Sequence, residues 1–277
     1  MSKIADTFQN ISSLLLQDLI NLIHFWDYKK DQKTSSPASK ELIETGYVSF
    51  ADFLTRKECE DLYDQIIAFS QKYKETTTLD NGTLIHFRGN KSEADPDKGM
   101  IDIYNVDRVV GLNLDYEKIE KIIKPTTTCD LYTTSVHAYI NRGVEGTRVF
   151  HVDNFQPVVY KAFIYLTDVD DTSYGPYAFI NKTHRFSLQV YYNLFRNLFL
   201  KKYRSPDMPI YKKNREIIGT GKKGTIIISN QNGIHRGYPQ EKGKERVALV
   251  VTYMVISKLN YLHNTAKQTL HEALKKF

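Results

Sequence analysis

Apolar and polar positions along the chain separate into helix-like flanks and a long β-rich middle. Residues 8 to 29 carry helical spacing, and Lys30 to Lys40, with Ser35, Ser36, Pro37 and Ser39, reads as a polar linker. Thr55-Arg56-Lys57-Glu58 forms a capping box, in which the threonine bonds forward and the glutamate bonds back. Cys59, Leu62, Ile66 and Phe69 then mark one face of the helix it opens. Residues 74 to 100 are polar and turn-rich, with Asn81-Gly82 at a hairpin turn. From about 101 to 255 strands dominate, interrupted by a helical insert near 187 to 203. The end, 258 to 277, reads as a helix bearing Leu259, Leu262, Leu270 and Leu274. The pattern therefore predicts a mainly β protein with flanking helices. Its units are 1–40 (helix and linker packed on the core), 41–257 (the core domain) and 258–277 (a terminal helix).

Three strand runs deliver chemistry. Val149-Phe150 leads into His151-Val152-Asp153, and Val158 to Leu166 follows as a β-rich run. Gly224 to Ser229 is placed to deliver a short loop and then His235, 84 positions after His151. Arg246 to Tyr253 is the third run and begins with an arginine. On a strand, residues i and i+2 share a face, so His151 and Asp153 are expected to grip one ion together. Taken alone, such a pair reads better as a hydrogen-bonded surface pair. With His235 as a distant third ligand it becomes a 2-His-1-carboxylate set, which leaves half of an octahedron open and suits non-haem Fe(II). Arg246, at the mouth of the sheet, is suited to hold a carboxylate through two parallel hydrogen bonds.

Residues 45 to 255 resemble the phytanoyl-CoA dioxygenase (PhyH)-like family of Fe(II)- and 2-oxoglutarate-dependent oxygenases. The resemblance runs through Glu44-Thr45-Gly46-Tyr47-Val48, Phe53-Leu54-Thr55, Tyr139-Ile140-Asn141-Arg142-Gly143 and the His151/Asp153 pair. It continues through Phe163 to Val169, Gly175-Pro176-Tyr177, Thr183-His184-Arg185, and His235-Arg236-Gly237 with Arg246 at the family's usual offset. It implies a double-stranded β-helix (jelly-roll, cupin-like) core with His151, Asp153 and His235 as catalytic metal ligands. Arg246 would hold the distal carboxylate of 2-oxoglutarate, with Tyr139 and Asn141 as further cofactor-binding candidates. The implied chemistry consumes 2-oxoglutarate and O2, releases succinate and CO2, and hydroxylates a substrate. An aspartate at position 153 disfavours halogenation, for which related enzymes keep a small residue there.

Composition narrows the partners. The chain of 277 residues is 41% hydrophobic, enough for a substantial core. Its two cysteines, Cys59 and Cys129, give no disulfide framework and fit a reducing cytoplasm. The apolar stretch at Leu14-Leu15-Leu16 is too short and polar to span a membrane and lacks the marks of a signal peptide. The net charge of +6 concentrates between 196 and 223. This patch reads first as a solvated face, then as an attractor of anionic substrates, and only last as a nucleic-acid surface, since no nucleic-acid motif accompanies it. The expected partner is a small, polar or anionic metabolite.

Other residues have quieter readings. His184 is expected to bond a backbone carbonyl. His137 shares a face with Tyr139 and Asn141, directed either into the barrel or into plain core packing. Arg236 is expected to point away from the metal, and Arg142 and Arg148 to form surface salt bridges. Asn154 and Phe155 are placed on the substrate side. His24, His263 and His271 lie on terminal helices. The rival functions are a cupin-like metal enzyme without 2-oxoglutarate, a hydroxylase of macromolecules, and an inactive jelly-roll binding protein.

Overall fold

The computed structural model describes residues 3–23, 36–89, 99–127, 129–153, 158–200 and 202–256. In chain order its strands are β1 (Tyr47–Phe50), β2 (Thr77–Thr78), β3 (Leu84–Phe87), β4 (Met100–Tyr104), β5 (Asp130–Arg142), β6 (Val158–Tyr165), β7 (Tyr177–Ile180), β8 (Glu216–Gly219), β9 (Ile226–Asn230), β10 (His235–Gly237) and β11 (Glu245–Ile256). A large antiparallel sheet runs β1-β9-β6-β11-β5-β4-β3-β2, and a small one runs β10-β7-β8. The helices are α1 (Lys3–Ile23), α2 (Pro37–Thr45), α3 (Arg56–Ser70), α4 (Tyr116–Ile123) and α5 (Leu188–Phe199).

Strand β11 is the spine of the large sheet, paired along most of its length with β5 on one side and β6 on the other. Its run Val247 to Val251 is apolar without interruption because both faces of the sheet are covered there. Directly opposed residues share a face. One face carries Ala138, Ile140, Ala162, Ile164, Val247 and Leu249 into a core with Leu42 of α2, Leu62 and Ile66 of α3, and Ile119 and Ile123 of α4. The other face turns Phe163, Tyr165, Ile227, Ala248 and Val250 toward Tyr177 and Phe179 of the small sheet. Behind the small sheet, α1 and α5 pack through Leu14, Val190 and Leu194 against Ala178, Ile180 and Ile234. The result is an antiparallel jelly roll with helices on both outer sides, the class the sequence indicates.

Three local expectations need correction. The linker does not extend to Lys40. Ser36 caps a helix with Pro37 at its first turn, and Leu42 and Ile43 bury its inner face. The Ser/Pro composition that suggested a linker is also what a helix start uses. Within the region where strands are expected to dominate, a second helix appears outside the 187–203 insert: Asp115 caps α4, whose Ile119, Ile122 and Ile123 follow helical spacing into the core. His151 and Asp153 do not lie on a regular strand; His151 makes only isolated bridges, to His235 and to Asp207. The turn at Asn81-Gly82 does join a hairpin, β2 to β3, with Gly82 at φ +79°. Helix α1 does pack on the domain, and Tyr191 of α5 donates to its Asp18 at 2.7 Å. The C-terminal helix expected at 258–277 lies outside the described residues.

Candidate metal centre

His151 and His235 are brought together by the backbone before their side chains act. Each donates its N–H to the other's carbonyl at 2.9 Å, forming one antiparallel bridge. Their rings consequently sit 4.7 Å apart between centroids. Beyond His151 the chain leaves strand geometry: Val152 N–H bonds the Pro206 carbonyl and Asp153 N–H bonds the Gln231 carbonyl. Val152 is fully buried in the core behind the small sheet. Its burial fixes which way the segment faces, and His151 and Asp153 emerge on the same side.

The three side chains then converge. His151 Nε2 lies 3.4 Å from Asp153 Oδ1, and His235 Nε2 lies 3.6 Å from Asp153 Oδ2. Ligand atoms from all three residues fall within 4.8 Å of one another. In both histidines Nδ1 is 2.9 Å from the carbonyl two residues earlier, Val149 and Gly233 respectively. A carbonyl only accepts, so Nδ1 carries the proton and Nε2 presents a lone pair. Two lone pairs aimed at a carboxylate repel unless a cation lies between them. Nitrogen and oxygen donors in this number fit a divalent transition metal. Burial also lowers the His151 pKa, which keeps the ring in its ligating form. Burial by itself would raise the Asp153 pKa, but positive charge beside it, the Lys161 ammonium included, holds it far below the usual carboxylate range.

Tyr177 supports this set. Its ring stacks on His235 with a centroid separation of 5.7 Å. Its hydroxyl accepts from Ser229 Oγ and from Gln231 Nε2, locking the ring from behind. On the other side, Lys161 of β6 donates to Asp153 Oδ2 at 2.6 Å. Burial opposes the Lys161 charge, yet the adjacent Asp153 carboxylate outweighs it and leaves the lysine pKa raised.

Arg246 and Asn141 are cross-strand partners on the inner face, and Tyr139 lies opposite Ala248 on that same face. Arg246 is only 9% exposed. Among the described residues, no carboxylate lies within ion-pair distance of it. Burial accordingly lowers its pKa, with the Tyr165 and Tyr139 phenols acting in the opposite sense. A Cβ placed on Gly237 would lie 3.6 Å from Arg246 Nη2, so the guanidinium reaches β10 only two residues beyond His235. A buried, uncompensated guanidinium beside a metal-ligand cluster is a site for an anion, and its fork matches a carboxylate.

The remaining candidates fall into place. His137 faces the barrel, bonded through Nε2 to Ser135 Oγ at 2.6 Å, with its pKa lowered to about 4 first by burial and then by Lys161. His184 is buried with Nε2 3.2 Å from the Ile43 carbonyl, the structural role expected of it. Arg236 points away from the cluster, bonding Thr147 Oγ1 at 2.6 Å and lying over the rings of Phe150 and Tyr238. Arg148 pairs with Asp207 and Arg142 with Glu245. In the basic segment, Lys222 pairs with Asp170 and Lys223 with Glu60. Asn154, Phe155, His24, His263 and His271 lie outside the described residues. Sequence reasoning assigned no role to Lys161 and named Tyr177 only as part of a motif. The usable signal for Lys161 was a charged residue in the middle of an apolar strand run.

Fold and site together define a jelly roll with a three-residue cluster suited to a metal. The fold is similar to that of the non-heme alpha-ketoglutarate-dependent carbocyclase SnoK from nogalamycin biosynthesis, at 14% identity and TM-score 0.56, covering 81% of this chain and 85% of that one. It is also similar to the epimerase SnoN, solved with Fe3+ and alpha ketoglutarate, at 13% identity and TM-score 0.54, covering 79% and 82%. EvdO2 from Micromonospora carbonacea var. aurantiaca gives 13% identity and TM-score 0.52, covering 79% and 89%. At these identities the likeness is one of fold. No protein-family model matches the chain, and no curated protein matches it in sequence.

Proposed function

We propose that the protein is a non-haem Fe(II)- and 2-oxoglutarate-dependent oxygenase that hydroxylates a small, polar or anionic metabolite and releases succinate and CO2. The observation that carries this reading is Arg246. A metal cluster alone fits any cupin-like enzyme, whereas a buried guanidinium with no carboxylate partner among the described residues, reaching Gly237 two residues beyond a metal histidine, calls for an acidic cosubstrate. His151, Asp153 and His235 would hold the iron, which when bound supplies the means to activate O2 at the expense of 2-oxoglutarate. Arg246 would hold the distal carboxylate, with Asn141 and Tyr139 lining the same face. Motif resemblance to the phytanoyl-CoA dioxygenase-like family and the fold of SnoK and SnoN support the assignment.

The cysteines support a reducing, cytoplasmic setting: Cys59 is buried and both are unpaired. No helix among the described residues is long and apolar enough to cross a membrane.

An anaerobic titration of the metal-free protein with Fe(II) and 2-oxoglutarate tests the reading. A weak visible charge-transfer band is expected, absent in Asp153→Ala and diminished in Arg246→Ala. Folded, iron-loaded protein that shows no band would refute the cosubstrate and leave a cupin-like metal protein.

A further inference from the structure

Lys161 is anomalous beside a metal site. Its ammonium lies 2.6 Å from Asp153, the carboxylate of the cluster, and is only 21% exposed. A cation there competes with the metal for the same negative charge. Such a residue weakens metal binding unless a further anion joins the site.

Charge accounting gives the same result. On the oxygenase reading, a divalent ion, Arg246 and Lys161 bring four positive charges. Asp153 and the 2-oxoglutarate dianion offset three of them. Asp102, buried on this face, is paired with the half-exposed Arg88, and that pair is already neutral. One positive charge remains, in a setting where unpaired charge is costly.

The surroundings of Lys161 suit an anion. Across the sheet it stands between Ser229 of β9 and Thr252 of β11, and Thr252 in turn opposes Ser135 of β5. Hydroxyl-bearing residues therefore stand opposite Lys161 on both neighbouring strands, the Ser229 hydroxyl being already bonded to Tyr177. His137, one step along β5, has a buried Nδ1 without a hydrogen-bond partner. Arg246 and Thr252 are six residues apart on β11, so the two cations leave the sheet about 20 Å apart. The Arg246 end serves one anion and the Lys161 end is available for another.

We propose that Lys161, with Thr252 and His137 beside it, anchors a carboxylate or phosphate group of the primary substrate next to the metal. The proposal rests on the oxygenase reading for the identity of that substrate, but the anion site itself is testable without turnover.

The test titrates the full-length, metal-free protein with Co(II), whose visible bands report both affinity and coordination, with acetate or inorganic phosphate as the probe anion. Lys161→Met is expected to bind Co(II) about ten-fold more tightly than wild type in the absence of anion, because a competing charge is gone. In wild type, one of the two anions should tighten Co(II) binding and alter the bands, and its identity distinguishes carboxylate from phosphate. That response should vanish in Lys161→Met, persist in Lys161→Arg and weaken in Thr252→Val. Circular dichroism of each variant confirms folding, and Lys161→Arg keeps the test alive should Lys161→Met fail to fold.

Co(II) binding that weakens or stays unchanged in Lys161→Met overturns the proposal, leaving the lysine a mere support for Asp153. An anion response that survives in Lys161→Met also overturns it. So does a loss of 2-oxoglutarate affinity in Lys161→Met as large as in Arg246→Met, since the lysine would then hold the cosubstrate. Failure of 2-oxoglutarate to perturb wild-type Co(II) bands would sink the oxygenase reading alone, because the metal and probe-anion measurements do not involve it.

Discussion

Arg246→Met separates the contribution of this residue to stability from its contribution to binding, and the two should have opposite signs. The side chain is 9% exposed and has no carboxylate partner among the described residues, so in the ligand-free protein its charge is buried without compensation. Methionine has similar length and no charge. Replacing buried charge by well-packed apolar atoms typically stabilises by about 1–4 kcal/mol. For a chain of this size, that raises the melting temperature by at least about 2 °C. Binding moves the other way. Truncating one partner of a buried, hydrogen-bonded charge pair costs about 2–5 kcal/mol. The corresponding loss of 2-oxoglutarate affinity is at least about 30-fold. Differential scanning fluorimetry on metal-free protein gives the first quantity, and anaerobic titration of the metal-loaded protein gives the second. A variant that melts several degrees lower while binding 2-oxoglutarate as wild type does would refute the reasoning, since it would make Arg246 a structural cation with an internal partner.

Two further perturbations test the scaffold. Burial lowers the His184 pKa to about 3, so between that value and the ordinary histidine value of about 6.5 the unfolded chain takes up a proton that the folded chain refuses. Stability should therefore fall as pH drops through this window, by about 1.4 kcal/mol per pH unit from this residue. Urea unfolding of metal-free wild type and His184→Gln at pH 6.5, 5.5 and 4.5 should show the flatter dependence in the variant; parallel curves would contradict it. Gly46 sits at φ +83°, where an added Cβ would lie 2.4 Å from His184 Nδ1. Gly46→Ala should cost at least about 1–3 kcal/mol in chemical denaturation, through backbone strain and displacement of that ring. A neutral result would show that the loop holding His184 yields freely.

What could be read in the sequence was what period and residue type encode. Long runs such as Val158 to Leu166 and Arg246 to Tyr253 are strands because no other local structure suits their β-branched content. The set of His151, Asp153, His235 and Arg246 stood out because few chemistries need those residue types together. The parts that did not show depend on tertiary context. Helix α4 is 8 residues long, too short for its spacing to rise above the surrounding strands. Helix α2 begins in a Ser/Pro stretch that serves turns and helix starts alike. His151 and Asp153 share a side because Val152 is buried and the backbone bonds Gln231 and Pro206, partners about 50 to 80 residues away. The pairing of Lys161 with Asp153 likewise arises only when β6 folds against that segment.

The arrangement has a consequence for how the molecule tolerates its own site. The inner face of the large sheet holds two cations: Lys161, paired with Asp153, and Arg246, which has no carboxylate partner among the described residues and does not favour folding until a ligand arrives. The opposite face of the same strands carries Ile140, Ile164, Val247 and Leu249 against three helices, with no charge among those four residues. Because side chains alternate along a strand, a substitution at Lys161 or Arg246 leaves the packing at positions 162, 164, 247 and 249 unmodified. Folding stability and ligand chemistry are thus carried by alternate residues of the same strands. That separation allows uncompensated charge to persist in the ligand-free protein, and it makes the charge-removing variants at 161 and 246 interpretable as binding experiments.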